Sequence, residues 1–245
     1  MRKLLGVILI MILAHASLRA QENWGGGVDD DPLHFGFTFQ YVNTEFKVFK
    51  NSNWKAPVPS SDGYSFSDSL YSISSTGTPG FGIGLVSDLK LNDRLNLRLT
   101  PNLVFADREV DYVYYYNGGN PVVKKKIPST LIDLPLGLKL RSDRRKNFAA
   151  YILAGTRYSI DITSKKKQDN TNMAFTDMLL RNKKSFFSYE AAIGFDLYFE
   201  YFKLSPEIKF SQSFNDVLRH EAGNPYSTPI EKLLLRNIQI SFHFE

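Results

Sequence analysis

The chain has 245 residues, of which 43% are hydrophobic and 22% charged, with a formal charge of +5. That length suits one domain of ordinary size. The absence of cysteine excludes disulfides, thiolate metal sites and a lipid anchor on an N-terminal cysteine.

Arg2 and Lys3 precede an unbroken apolar run, Leu4 to Leu13, and small residues follow at Ala14, Ala16 and Ala20. This is the pattern of a secretory signal peptide, predicted to be cleaved after Ala20 or, alternatively, after Ala16. The run is too short to cross a hydrocarbon core of ~30 Å as a helix. Removing residues 1–20 takes away Arg2, Lys3 and Arg19 and lowers the formal charge from +5 to +2, so the basic whole-chain balance does not argue for a nucleic-acid partner. No later stretch stays apolar for 18 residues. If the exported chain enters a membrane, it must do so as a closed barrel, because hydrocarbon offers no partner to a free backbone group.

After residues 21–33, read as a periplasmic segment, period-two alternation dominates residues 34–245. Eight runs are predicted: His34–Lys50, Gly80–Leu91, Arg94–Tyr116, Val122–Arg141, Phe148–Ser164, Phe186–Glu200, Phe202–Phe214 and Leu233–Glu245. In the sixth, Phe187, Tyr189, Ala191, Ile193, Phe195, Leu197 and Phe199 share one face; Ser188, Glu190, Ala192, Gly194, Asp196, Tyr198 and Glu200 share the other. Alternation alone fits a soluble sandwich or a membrane barrel. Length and connections separate them. The clearest runs exceed the five or six residues usual in soluble strands. Asn51–Pro79, Lys165–Ser185 and Asn215–Lys232 are long connections, whereas Asn92-Asp93, Ser142–Asn147 and the turn at Tyr201 are short. Long outside loops and short periplasmic turns mark an outer-membrane barrel. The expected fold is therefore an eight-stranded antiparallel transmembrane β-barrel, OmpA/OmpX-like, with both termini in the periplasm. Pro101, Pro135 and Pro206 fall inside predicted strands and call for a bulge or a rim position. Thr228, Pro229 and Glu231 carry the signals of one helical turn.

The inward faces collect charge of both signs: Asp88, Lys90, Arg94 and Arg98, then Asp133, Lys139, Arg157 and Asp161, then Glu190, Asp196, Lys203, Glu207 and Lys209. Eight strands leave an interior wide enough only for side chains. A paired-charge plug is thus expected rather than a pore or a catalytic carboxylate pair. No catalytic residue, cofactor site or metal site is predicted: Gly-x-Ser-x-Gly is absent, and His34, His220 and His243 have no evident serine partner. Gly80, Gly82 and Gly84 read as a small-residue strand face, and Tyr112 with Tyr114–Tyr116 as an interfacial girdle. Lys124–Lys126, Lys165–Lys167 and Lys183-Lys184 read as solvated loop clusters or contacts to lipopolysaccharide. The turn after the fourth run holds Arg141, Arg144, Arg145 and Lys146 against the single acid Asp143, and is a candidate docking site for an acidic periplasmic partner.

The run Ser129-Thr130-Leu131-Ile132-Asp133-Leu134-Pro135-Leu136-Gly137-Leu138-Lys139-Leu140-Arg141-Ser142-Asp143-Arg144, followed by Asn147 and the Tyr151–Tyr158 strand with Gly155, resembles the PorT (SprT) family of the Bacteroidota. The final strand, with apolar residues at alternate positions and Phe244 near its end, resembles the signal read by barrel-assembly machinery, although Glu245 follows the aromatic. The resemblance implies an accessory, non-enzymatic outer-membrane component of type IX secretion, which exports proteins bearing a C-terminal sorting domain and in some species supports gliding motility. It implies other outer-membrane or periplasmic secretion components as partners. The residues by themselves leave open a general structural or adhesive barrel and, more remotely, an outer-membrane hydrolase.

Overall fold

The computed structural model describes residues 31–56, 70–115, 122–163 and 177–245. The signal peptide, Lys165–Lys167 and Tyr116 lie outside them. Twelve strands are present among the described residues: β1 (Leu33–Lys50), β2 (Leu70–Ser74), β3 (Thr78–Lys90), β4 (Leu95–Leu99), β5 (Asn102–Phe105), β6 (Arg108–Tyr114), β7 (Val122–Ile127), β8 (Thr130–Arg141), β9 (Phe148–Asp161), β10 (Ser185–Tyr198), β11 (Lys203–Ser213) and β12 (Ile230–Phe244). Antiparallel pairing runs β1, β12, β11, β10, β9, β8, then β4 and β5, then β3, and β3 pairs back to β1. Since β4 and β5 are one strand interrupted at Thr100-Pro101, the ring has the eight strands expected. β1 closes it between two seams, with Phe37 opposite Leu85 on β3 and opposite Phe244 on β12.

The apolar face points outward. Phe35 is 71% exposed and Leu85 65%, while Asp88 and Asp196 on the opposite faces are fully buried. This excludes a sandwich, whose apolar faces would pack together. On β1 the outward apolar positions run from Leu33 to Tyr41. Eight residue steps give about 26 Å along the strand. Tilted by the 35–45° usual in such barrels, that spans roughly 20 Å, close to the height of a barrel's apolar band.

The prolines create no bulges, contrary to the expectation from sequence. Across Pro101 the ladder to β8 passes from Leu99↔Leu136 to Asn102↔Asp133 in unchanged register, and the ladder to β3 does the same. Pro135 faces that same gap. The remaining polar groups find partners: Leu85 N donates to the Pro101 carbonyl at 3.0 Å and Thr100 N to the Pro135 carbonyl at 3.2 Å. Pro206 likewise leaves a gap between Gly194↔Glu207 and Leu197↔Leu204 without a shift. Long flanking ladders hold the register, so each proline removes its own bond and nothing more.

Beyond the ring, β2, β6 and β7 form a second, three-stranded sheet. It stands at the end with the long connections: β2 falls inside the predicted connection Asn51–Pro79, and β6 and β7 are parts of the predicted runs Arg94–Tyr116 and Val122–Arg141 that leave the ring. Around it the polarity reverses. Val42, Phe46, Val110, Tyr112, Leu131, Leu218, Leu233 and Leu235 fill the interior here as an apolar core. Tyr112 and Tyr114 belong to this core and not to an interfacial girdle; Tyr112 is fully buried and donates to the Tyr226 carbonyl at 2.6 Å. The expected helical turn at Thr228 is also displaced: Thr228 N bonds back to the Asn224 carbonyl at 3.0 Å, and Glu231 already lies in β12.

Space inside the ring is tight. Gly155 on β9 is directly opposite Gly137 on β8, and a Cβ at Gly155 would press the Leu136 carbonyl and the Gly137 Cα. Gly155→Val is expected to cost about 1–3 kcal/mol by overpacking, whereas Ala154→Val, one residue away on the lipid face, should be tolerated. Urea titration of heat-modifiable gel mobility in lipid vesicles measures this, and equal midpoints would show that the lumen has spare room.

Candidate functional site

The interior at the short-turn end is a network of paired charges. Arg98 donates to Asp88 and to Glu245, both at 2.7 Å, and lies 3.8 Å from Glu207. Lys203 meets Glu245 at 2.6 Å. Lys139 binds both oxygens of Asp196, at 2.9 and 2.8 Å, and lies 3.6 Å from Asp88. Ser205 donates to Asp196 and Tyr151 to Glu207. Higher up, Lys209 spans Glu190 at 3.1 Å and Glu207 at 3.3 Å, and Arg157 meets Asp133 at 3.3 Å. All of these side chains are buried. The cause is strand periodicity: alternate residues of β3, β4, β8, β9, β10 and β11 face one narrow axis, and a charge there without a partner would cost several kcal/mol.

Eleven of the thirteen predicted inward charges are buried in this interior; the exceptions are Lys90 and Arg94 at the rim, where they pair with Asp93 and Asp143. Sequence reasoning missed Arg108 and Glu245. Arg108 is fully buried beside Asp161, at 3.9 Å, between the charged layer and the apolar core. Glu245, which looked like a departure from the usual terminal aromatic, places its carboxylate between Arg98 and Lys203.

The docking candidates separate. Arg141 is buried and donates to the Tyr198 hydroxyl at 2.9 Å, so it belongs to the interior and not to the turn surface. Arg144 stacks its guanidinium over the Tyr198 ring at 3.8 Å and donates to the Lys146 carbonyl at 2.7 Å. Arg145 and Lys146 are exposed. Lys146 takes φ 56° to close the hairpin, where Arg145 and Phe148 exchange backbone bonds. Arg94 grips Asp143 with two bonds of 2.9 Å, joining this turn to the one before it and neutralising its acid.

The model of the outer membrane protein beta-barrel domain family matches residues 20–219. The chain belongs to that family. A search of the curated proteins gave no match. Among solved structures the chain is similar to Neisserial surface protein A, with 8% identity and a TM-score of 0.42 over 87% of this chain and 98% of that one. It is also similar to the outer membrane protein OprG from Pseudomonas aeruginosa, with 12% identity and a TM-score of 0.44 over 86% and 94%. The attachment invasion locus protein Ail of Yersinia pestis matches with 9% identity and a TM-score of 0.35 over 87% and 98%.

As a member of this outer-membrane barrel family, the chain is placed with its short turns in the periplasm and its long connections outside. The second sheet with its apolar core is then an external cap. Its lysines are largely answered by carboxylates: Lys124 meets Glu109 at 2.7 Å and Lys126 meets Asp107 at 2.8 Å. The hydrogen bond from Lys124 holds the Glu109 carboxyl below its ordinary range. Lys183 lies 3.5 Å from Asp216. His220 contacts Asp216 at 3.0 Å, and His243 lies 3.6 Å from Glu207. No group of three or more His, Asp or Glu suited to a metal occurs among the described residues.

Two outcomes test the plug. Planar-bilayer recordings should show no large, stable conductance, because charge pairs block the axis; reproducible openings on the nanosiemens scale would contradict it. Lys139→Met should cost about 3–5 kcal/mol of unfolding free energy in vesicles by stranding Asp196. Adding Asp196→Asn should recover much of that loss.

Proposed function

We propose that this barrel is a non-catalytic accessory component of type IX secretion that acts through its surfaces. The observation that carries the reading is the sealed interior. A lumen filled by paired side chains and roofed by an apolar core gives cargo no route, so the barrel serves export by holding partners.

The secretion role itself rests on the resemblance in Ser129–Arg144, which forms β8 and the following turn. Ser129, Asp133, Lys139 and Arg141 of that run point into the plug. Arg144, Arg145 and Lys146 stand at the periplasmic turn. Arg145 and Lys146 are exposed and Asp143 is already taken by Arg94, leaving a net positive knob on a rigid hairpin. Clustered charge of this kind steers and orients an acidic partner. A general structural or adhesive barrel is the second reading. It is favoured by the external cap, a platform with its own core, since binding residues usually sit on loops held by a rigid scaffold.

Deletion of the gene should trap proteins bearing the C-terminal sorting domain in the periplasm. Unaffected secretion with impaired surface attachment would select the second reading. With heat-modifiable mobility confirming a folded barrel, Arg144→Ser, Arg145→Ser and Lys146→Ser together should reduce secretion. Replacing Lys165–Lys167 should matter less. Full secretion in the turn variant would leave the turn as a solvated hairpin.

A further inference from the structure

Every seam of the ring but one joins strands that follow one another in the chain, directly or through the cap. A turn or a longer connection keeps the two sides of each such seam near one another. The exception is β1 with β12, which come from the two ends of the described chain. Closing this seam carries the loop-closure entropy of nearly the whole barrel. Once parted, its two strands are free to move away.

Glu245 is seated across this seam. Its backbone exchanges bonds with Lys203 on β11: Glu245 N donates to the Lys203 carbonyl at 2.9 Å, and Lys203 N to the Glu245 carbonyl at 2.7 Å. On the β1 side, Gly36 leaves no room for a side chain. A Cβ there would collide with the Phe244 carbonyl and stand 3.1 Å from the Glu245 Cα. The buried Glu245 carboxylate meets Arg98 on β4 at 2.7 Å and lies 2.6 Å from Lys203. Arg98 also lies 3.8 Å from Glu207 on β11. One guanidinium on the β1 side of the seam thus holds carboxylates from both strands beyond it.

This contact exists only in the closed ring. In a sheet opened between β1 and β12, β4 and β12 stand five strands apart, about 24 Å at the usual strand spacing. Other charge pairs of the plug do not sense the seam in this way. Asp88 is on β3, beside the strand of Arg98, and Lys139 and Asp196 are on β8 and β10, two strands apart whether the seam is closed or open. Other side-chain bonds across the seam are weaker in kind. Gln239 donates to Gln40 at 2.9 Å between neutral amides, and the Glu45–Arg236 pair at 3.1 Å is half-exposed. A buried charge-assisted bond exceeds both.

We propose that Arg98 and Glu245 form a latch that holds the β1–β12 seam shut and sets how long the barrel wall stays closed. Gly36 and Lys203 form the socket that positions its carboxylate. The latch does not depend on the secretion role.

The test is the rate of unfolding in urea of the barrel folded in lipid vesicles, followed by heat-modifiable gel mobility. Glu245→Gln keeps the size of the side chain and removes its charge. It should raise the rate about tenfold, since a contact completed last in folding acts on unfolding. The chain has no cysteine, so single disulfides can be introduced cleanly. Tyr41→Cys with Ile240→Cys, opposite one another on the lipid face of the seam, locks it covalently. In that locked barrel Glu245→Gln should no longer change the rate. Ala154→Cys with Ala191→Cys, opposite one another across β9 and β10, is the control lock and should leave the full effect in place. An unchanged rate in the unlocked variant would overturn the latch. So would an effect that persists in the seam-locked barrel, or one that the control lock removes equally, because either would make Glu245 an ordinary packing residue. If Glu245→Gln does not fold unlocked, Glu245→Asp, which keeps the charge and shortens its reach, takes its place in the same comparison.

Discussion

Everything in this molecule follows from the requirement that backbone groups in hydrocarbon be paired within the chain. The ring satisfies it by returning β3 to β1, so that no edge is left at membrane depth. Closure at eight strands then fixes a narrow axis. Long side chains on the inward faces have nowhere to go except toward one another, and each charge there must find its opposite. Arg98 between Asp88 and Glu245, and Lys139 between Asp196 and Asp88, are the direct result. Glycine at Gly155 gives the room that these side chains occupy. The prolines show how strongly the ring dominates local preference, since neither Pro135 nor Pro206 shifts the register of the strands beside it.

A second constraint acts along each strand, because the strands outrun the membrane. Within the band, β1 presents Phe35, Phe37, Phe39 and Tyr41 outward and buries Thr38 and Gln40. A few residues later it presents Glu45 and Lys47 outward and buries Phe46. The alternation continues, but the two faces exchange character because the outer medium changes from hydrocarbon to water. The upper part therefore folds as a soluble protein would, around an apolar core, while the lower part is packed by charge. Two incompatible interiors are stacked in one tube, and buried Arg108 marks the layer where they meet.

The ring was legible in the sequence because period two survives one change of medium: the runs, their sorted connections and most of the inward charges all follow from it. Parity also explains the misassigned residues. Arg141 is two residues from Lys139 on the same face, so it belongs to the lumen, although its proximity to the turn suggested otherwise. Glu245 shares the face of Gln239, Ser241 and His243, all buried, and reads as a plug residue once the last strand is followed to its end. The cap was not legible. The pairing of β2 with β6 joins Ile73 to Tyr112 across a wide gap in sequence, and nothing local to either segment announces it. Arg108 was missed although it keeps the even-numbered inward parity of Arg98, Asn102, Val104 and Ala106, so following that parity past the strand break would have found it.

The same parity argument bears on what the Ser129–Arg144 run can say about partners. Its inward-facing polar members Ser129, Asp133, Lys139 and Arg141 are all committed to internal contacts: Ser129 with Asp161, Asp133 with Arg157, Lys139 with Asp196 and Arg141 with Tyr198. A partner in the periplasm touches none of them. Most of the run is therefore accounted for by the demand for a filled lumen, and a barrel with another task would need the same chemistry at those positions. Arg145 and Lys146 are different. Burial does not require them, and their charges are not consumed by Asp143, whose carboxylate Arg94 already holds. Lys146 moreover keeps a left-handed backbone that glycine or asparagine would adopt at lower cost. In the proposed secretion role, these two exposed cations, which the filled lumen does not require, are the side chains of this stretch that a periplasmic partner would meet.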